Sequence, residues 1–320
     1  MRALANLLIV FLMAVGSFAQ SQPVALKADL KTPYTFIAYG DTRFTDPGNT
    51  DAANAQVRQE IVRKIAEAKP AFISIGGDIS FKGDDPKDWE QFDKETAAWR
   101  ENGLTVYPAL GNHDLHGDQK IGLSNYFKRF PMIQESRYYS VELPNALMLA
   151  LDSSMDEVDG PQGEWLKSKI AGAGESADFI FLVLHHPPYT SSSDLNVGGG
   201  HSARHNEQQL AAYLEEQQKT MRARIVVFAG HVHNYERKQH GGVAYFVTGG
   251  GGAHPYVFKR KPDDLFRGAG VYYHYIEVKV DRGKLRTIMH RVEIKDGKPV
   301  WSEPDRATIE VPAAAKAAGK

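Results

Sequence analysis

An α/β fold with mixed sheets is predicted for this 320-residue chain by three observations. Over the first half, short apolar runs alternate with stretches of helical periodicity, and the second half turns β-rich. Those runs are five or six residues long and bounded by turn residues, as short buried strands are. Unusual polar clusters fall immediately after those runs, at the carboxyl-end rim where open α/β sheets gather ligands.

In order, residues 34–39 (YTFIAY) read as a strand ending at Gly40-Asp41. Helical periodicity covers 51–68, and 71–75 is a second strand ending at Gly76-Gly77-Asp78. A helix is expected over 85–99, then a strand over 104–109 that ends at Gly111-Asn112. The runs 137–142 and 146–151 suggest a hairpin, and 161–170 a helix. Residues 179–184 form a strongly apolar strand ending at His185. A helix over 207–220 precedes a strand over 224–229 that ends at Gly230-His231. Segments 243–247, 271–280 and 284–292 are strand-like and poor in helix signal. There is no internal repeat.

The two ends read differently. Arg2 precedes an unbroken apolar run over 7–15, followed by Gly16, Ser17, Phe18 and Ala19. This pattern predicts a signal peptide over 1–19, cut after Ala19, and hence a periplasmic or secreted protein. The run is shorter than the roughly 20 residues of a spanning helix, and no later segment is longer, so no membrane span is expected after cleavage. Residues 20–33 read as a leader, 34–311 as one catalytic domain, and the Ala- and Lys-rich 312–320 as a disordered tail.

Composition narrows the chemistry. A net charge of −1 gives no basic field for a nucleic-acid backbone, so stable nucleic-acid binding is not expected. The absence of cysteine excludes disulfides and thiolate metal sites. Any metal must be held by nitrogen and oxygen donors, which suit manganese, zinc, iron or magnesium.

Five polar clusters carry the functional signal: Gly40-Asp41-Thr42-Arg43, Gly77-Asp78, Gly111-Asn112-His113-Asp114, His185-His186-Pro187-Pro188-Tyr189 and Gly230-His231-Val232-His233. Glycine before a ligand permits the tight turn that aims the next side chain at the rim. Carboxylates neutralise metal charge, imidazoles supply directional nitrogens, and an amide oxygen completes a shell without adding charge. A lone Gly-Asp after a strand is usually only a turn. Five such clusters, each on a strand end, point to a metal cage. Two ions roughly 3.5–4 Å apart clamp the attacking and leaving oxygens of a phosphoryl displacement.

With these motifs the chain resembles the calcineurin-like metallophosphoesterase superfamily, whose signature runs Asp-x-His, Gly-Asp, Gly-Asn-His-Asp/Glu, His and Gly-His-x-His. The stretch from Gly230 to Arg237 (GHVHNYER) and the glycines at 249–252 resemble its purple acid phosphatase branch. The resemblance spans roughly residues 34–292. It implies a double β-sandwich flanked by helices, a four-layer architecture with the metal site at the sheet edges. It also implies a metal-bridged hydroxide that attacks a small phosphomonoester. The same cage would serve a phosphodiesterase or nucleotide-cleaving enzyme, or a degenerate protein that only binds metal or phosphate.

Position by position, the resemblance has Asp78 bridging two metals, Asp41 and His233 on the first, and Asn112, His185 and His231 on the second. His185 is preferred to His186 because it directly follows the strand. His113 would act on the substrate phosphate as proton donor or charge stabiliser, oriented by Asp114. Two departures stand out. Arg43 replaces the first motif's His, and Phe81 replaces a Tyr ligand of the purple branch. Neither can ligate a metal, so the first site is one donor short and no iron–tyrosinate colour is expected. Arg43 is then a candidate for bidentate contact to phosphate, or for a rim pair with Asp41 or Asp46. The Ser- and Gly-rich stretch 190–206 reads as a lid whose His201 and Arg204 would contact phosphate, with His205 starting a helix. Tyr189, Tyr235, Tyr256 and Phe258 are read equally as a leaving-group pocket or as core and surface.

Overall fold

The computed structural model describes residues 23–173, 176–193 and 201–312. The expected signal peptide, the tail beyond 312 and the centre of the expected lid lie outside the described residues.

Two mixed sheets pack face to face. The first runs in the order β1-β5-β6-β7-β8-β10-β9, from β1 (Ala25–Lys27), β5 (Tyr139–Leu143), β6 (Ala146–Ala150), β7 (Phe179–Leu184), β8 (Arg224–Ala229), β10 (Val243–Thr248) and β9 (Tyr235–His240). The second runs β13-β12-β11-β2-β3-β4, from β13 (Lys298–Glu310), β12 (Lys284–Lys295), β11 (Tyr273–Asp281), β2 (Tyr34–Tyr39), β3 (Phe72–Ile75) and β4 (Thr105–Pro108). In each sheet the central strands are parallel: β2, β3 and β4 in one, β6, β7, β8 and β10 in the other.

Strand alternation explains the layering. Phe179, Phe181 and Val183 point into the core between the sheets, while Ile180, Leu182 and Leu184 point the other way. The inner set meets the second sheet through Phe36, whose ring lies 5.3 Å from Phe181 and 6.0 Å from Phe228. The outer set is covered by α5 (Gly160–Ala173) and α6 (His205–Gln218), through Leu166, Ile170, Leu210 and Leu214. Helix α1 (Ala55–Ala68) packs on β11 and β12 and covers the far face of the second sheet. The expected four-layer arrangement results.

The helix expected over 85–99 is two, α2 (Pro86–Glu95) and α3 (Ala97–Glu101). Thr96 breaks it: its Oγ1 donates to the Phe92 carbonyl at 2.6 Å, a local bond that competes with helix continuation. Helix α4 (Gln119–Arg129), capped by Asp118, was not anticipated. Nor was β1, which places part of the expected leader beside β5. The long edge strand β13 also escaped notice, because it is polar and carries Pro299 and Pro304. Proline is tolerated there since an edge strand has unpaired positions, and the register slips between Met289 and Arg291 opposite Pro304.

The parallel strands of both sheets end at the same edge. Chain segments after β2, β3, β4, β7 and β8 meet there, and they are the five segments with unusual polar residues.

Candidate metal centre

The backbone at this edge is tightly turned. Asp41, Arg43, Asp78 and His231 all have positive φ, at 58°, 44°, 52° and 67°. Such left-handed conformations cost of order 1–3 kcal/mol each in non-glycine residues and persist only where the surroundings enforce them. Here enforcement comes from bonds between the loops: Asp41 N–H donates to Gly77 O at 3.0 Å, Arg43 N–H to Asp78 O at 2.9 Å, and His231 N–H to Asp41 Oδ2 at 2.9 Å. Gly77 has φ +85°, and a Cβ there would lie 2.7 Å from His185 Nδ1. Only glycine fits where the loops cross this closely.

The side chains converge on one another. His185 Nδ1 donates to the Gly76 carbonyl at 2.9 Å, which aims its Nε2 at the cluster. That Nε2 lies 3.0 Å from Asn112 Oδ1 and 3.2 Å from Asp78 Oδ1. His231 Nδ1 adds a nitrogen 3.2 Å from both Asn112 Oδ1 and His185 Nε2. Donor atoms crowd together here, and a bound cation would accommodate such a set. The donors also fit a metal chemically, because they are nitrogen and oxygen atoms on rigid strand ends. Asn112 is exposed and His113 half-buried, so this flank opens to solvent.

On the other flank, His233 Nδ1 donates to His254 O at 2.9 Å. Its buried Nε2 has no hydrogen-bond partner and lies 3.4 Å from Asp41 Oδ1. Among the described residues two groups could hold an ion, His185-His186-His231 and Asp41-Asp78-His185. His233 belongs to neither.

Electrostatics agree with this grouping. Burial pushes the Asp41 carboxyl up to about 7, helped by the Asp78 charge. Burial would raise Asp78 as well, but His185, His113 and Arg43 hold it well below the usual carboxylate range. Burial lowers His186 and His233 and keeps both imidazoles neutral, the form that ligates.

Several expectations need correction. Asp114 does not orient His113. Its oxygens accept from the backbone N–H groups of Ile79, Ser80 and Gly111 at 2.9–3.0 Å, which makes it a brace for the loops. His113 is held instead by Phe81, whose carbonyl takes the Nδ1 proton at 2.6 Å, and by its own N–H on Asp78 Oδ1 at 2.9 Å. Arg204 is engaged elsewhere: it pairs with the buried Glu207 and bonds Ser153 O at the start of α6. Arg43 pairs with neither Asp41 nor Asp46; its Nη2 lies 3.4 Å from Asp78 Oδ2. Tyr235 is core and donates to Asp305 at 2.7 Å, and Tyr189 donates to Glu215 at 2.7 Å.

Two further side chains lie against the cluster. His201 stacks on His231 with ring centroids 4.6 Å apart, over the metal-side cluster. Tyr256 stacks on His233 at 4.3 Å, and its hydroxyl lies 3.0 Å from His201 Nε2. His186, passed over as a ligand in favour of His185, also lies against the cluster: its ring is 4.3 Å from that of His231, and its Nδ1 is 2.7 Å from Ser153 Oγ. Ser153 follows a strand end as the ligands do, but without a neighbouring glycine or imidazole it gave no signal.

A family model described as calcineurin-like phosphoesterase matches residues 34–235, more than half of the chain. The chain belongs to that family. Purple acid phosphatase 5 of Arabidopsis thaliana is 26% identical over 228 residues, 68% of this chain and 48% of that protein. The Fe(3+)-Zn(2+) purple acid phosphatase 12 of the same plant is 25% identical over 244 residues, 70% of this chain and 48% of the relative. The chain thus spans about half the length of the curated relatives it matches. Among solved structures, purple acid phosphatase PPD1 from yellow lupin (Lupinus luteus) superposes with a TM-score of 0.67 at 16% identity, covering 91% of this chain and 58% of that one. A dimetal phosphatase from Danio rerio gives 0.57 at 14% identity, covering 87% and 99%. These likenesses show the fold. No helix among the described residues is long and apolar enough to cross a membrane.

Proposed function

We propose that this calcineurin-like protein is an exported, metal-dependent hydrolase of small phosphomonoesters. The observation that supports it most is the convergence of Asn112 Oδ1, Asp78 Oδ1 and His231 Nδ1 on His185 Nε2, at 3.0–3.2 Å, at a solvent-open edge. Asp78, Asn112, His185 and His231 would hold an ion, with Asp41 and His233 on the flank where a second would sit. When bound, such ions supply Lewis-acid charge to phosphate oxygens and acidify water at the site. Manganese, zinc, iron and magnesium suit the donors, and the name of the Arabidopsis relative pairs two of them.

The chain's own residues account for orientation and charge. His113 spends its Nδ1 proton on the Phe81 carbonyl, so a proton moved to or from the substrate is held at Nε2. Arg43 and His201 sit around the same opening and would neutralise phosphate oxygens. Arg204 has no part in this, being committed to Glu207. Export rests on the charge and apolar pattern of residues 1–19.

Rates on an aryl phosphomonoester and the matching diester, each with manganese, zinc and iron, test the reading. The monoester is expected to be cleaved faster. Faster diester cleavage would change the substrate class but keep the cage. No turnover with any metal would favour a protein that only binds.

A further inference from the structure

Arg43 is an unusual residue to find beside the metal donors. Its backbone is pinned on both sides, by its own N–H on Asp78 O at 2.9 Å and by Arg58 Nη1 on its carbonyl at 3.0 Å. The side chain is only 14% exposed and sits between two groups, Asp78 Oδ2 at 3.4 Å and the neighbouring Tyr256 hydroxyl. Tyr256 is itself fixed by stacking on His233.

This arrangement divides the Asp78 carboxylate. Oδ1 faces the His113 N–H and the His185-Asn112-His231 group, while Oδ2 faces the guanidinium. A carboxylate can bridge two ions through one oxygen or through both; through both, Oδ2 would serve the second of them. That ion would then share one oxygen with a fixed cation, in a buried site where like charges are poorly screened. The other donors on that flank are Asp41 and His233, and both Asp41 oxygens already accept from the His231 N–H. Charge balance points the same way. Asp41 and Asp78 bring two negative charges among the donors; one divalent ion plus Arg43 leaves a single net positive charge to meet a phosphate. A second divalent ion would leave three.

We propose that the Arg43 guanidinium takes the electrostatic place of the first metal, so that this phosphoesterase site retains one tightly held ion, on the Asp78-Asn112-His185-His231 side. The proposal rests on the reading of this cage as a metal site. Arg43 then serves twice, neutralising Asp78 and presenting its remaining N–H groups to phosphate.

The test is metal stoichiometry. The full chain is loaded with manganese, passed through gel filtration and analysed for metal per chain, alongside Arg43→His. About one ion per parent chain is expected, rising to about two in Arg43→His, where an imidazole restores a donor. Electron paramagnetic resonance of the loaded parent needs no variant and should show isolated Mn(II). Two retained ions in the parent, a spin-coupled pair in its spectrum, or one ion in a folded Arg43→His variant would overturn the proposal. A folded parent that retains no ion would instead overturn the metal-cage reading on which it rests.

Discussion

His185 Nε2 lies 3.0 Å from Asn112 Oδ1, with the ring's other nitrogen, Nδ1, donating to the Gly76 carbonyl at 2.9 Å. With the imidazole neutral both atoms are acceptors, and a cation seated against both reconciles them. Replacing Asn112 or His185 with Ala should therefore abolish tight metal retention while leaving the fold intact, since neither side chain belongs to the apolar core. Elemental analysis after gel filtration decides it. Undiminished metal in either variant would remove that residue from the ligand set.

His113 stands apart from the donors because its Nδ1 is spent on Phe81. His113→Ala should lower kcat by about 10²–10⁴-fold, the usual contribution of a positioned acid or base, with metal content unchanged. A parent-like rate on an aryl phosphate would exclude the assigned role.

Asp114 is expected to matter for stability through the three backbone amides that it binds. Asp114→Ala leaves them buried and unpaired, at roughly 1–3 kcal/mol for each group. Asp114→Asn keeps an acceptor and should recover much of the loss. Denaturant unfolding of the two variants measures the difference. A parent-like midpoint for Asp114→Ala would mean that water or a rearranged loop satisfies those amides.

Glu157 gives a pH prediction away from the metal donors. It is fully buried beside Glu207, with which it can share a hydrogen bond only when protonated. Burial and then the Glu207 charge push its carboxyl up to about 9 from 4.5. A raised folded-state pKa means that the folded chain binds a proton the unfolded chain has released. Stability from this group is therefore full below 4.5 and is lost as pH rises toward about 9. Glu157→Gln, permanently neutral, should melt higher than the parent at about pH 8, with the gap closing in acid. Equal melting temperatures across that range would contradict the assignment.

Sequence legibility followed backbone demands. Asp41, Asp78, Asn112, His185 and His231 stood out because each follows a strand end, most of them behind a glycine that the crossing of loops requires. The central strands were equally plain, since burial on both faces leaves near-continuous apolar runs. Edge strand β13 was not, because an exposed edge makes no such demand on composition. Arg204 was misread as a phosphate contact although Glu207, three residues on, offered the local pairing that the structure adopts. Phe81 illustrates a limit of another kind: as a failed ligand by side chain it still acts, through its carbonyl, on His113. Backbone roles leave no trace in residue identity.

The central claim is that phosphoester hydrolysis here depends on ions held by this cage. Its most direct test strips the full chain with a chelator, then restores manganese, zinc or iron one at a time while following aryl phosphate hydrolysis. The account predicts a fall to background on stripping and recovery with at least one of the metals. A stripped, metal-free protein that hydrolyses the ester at its original rate would contradict it.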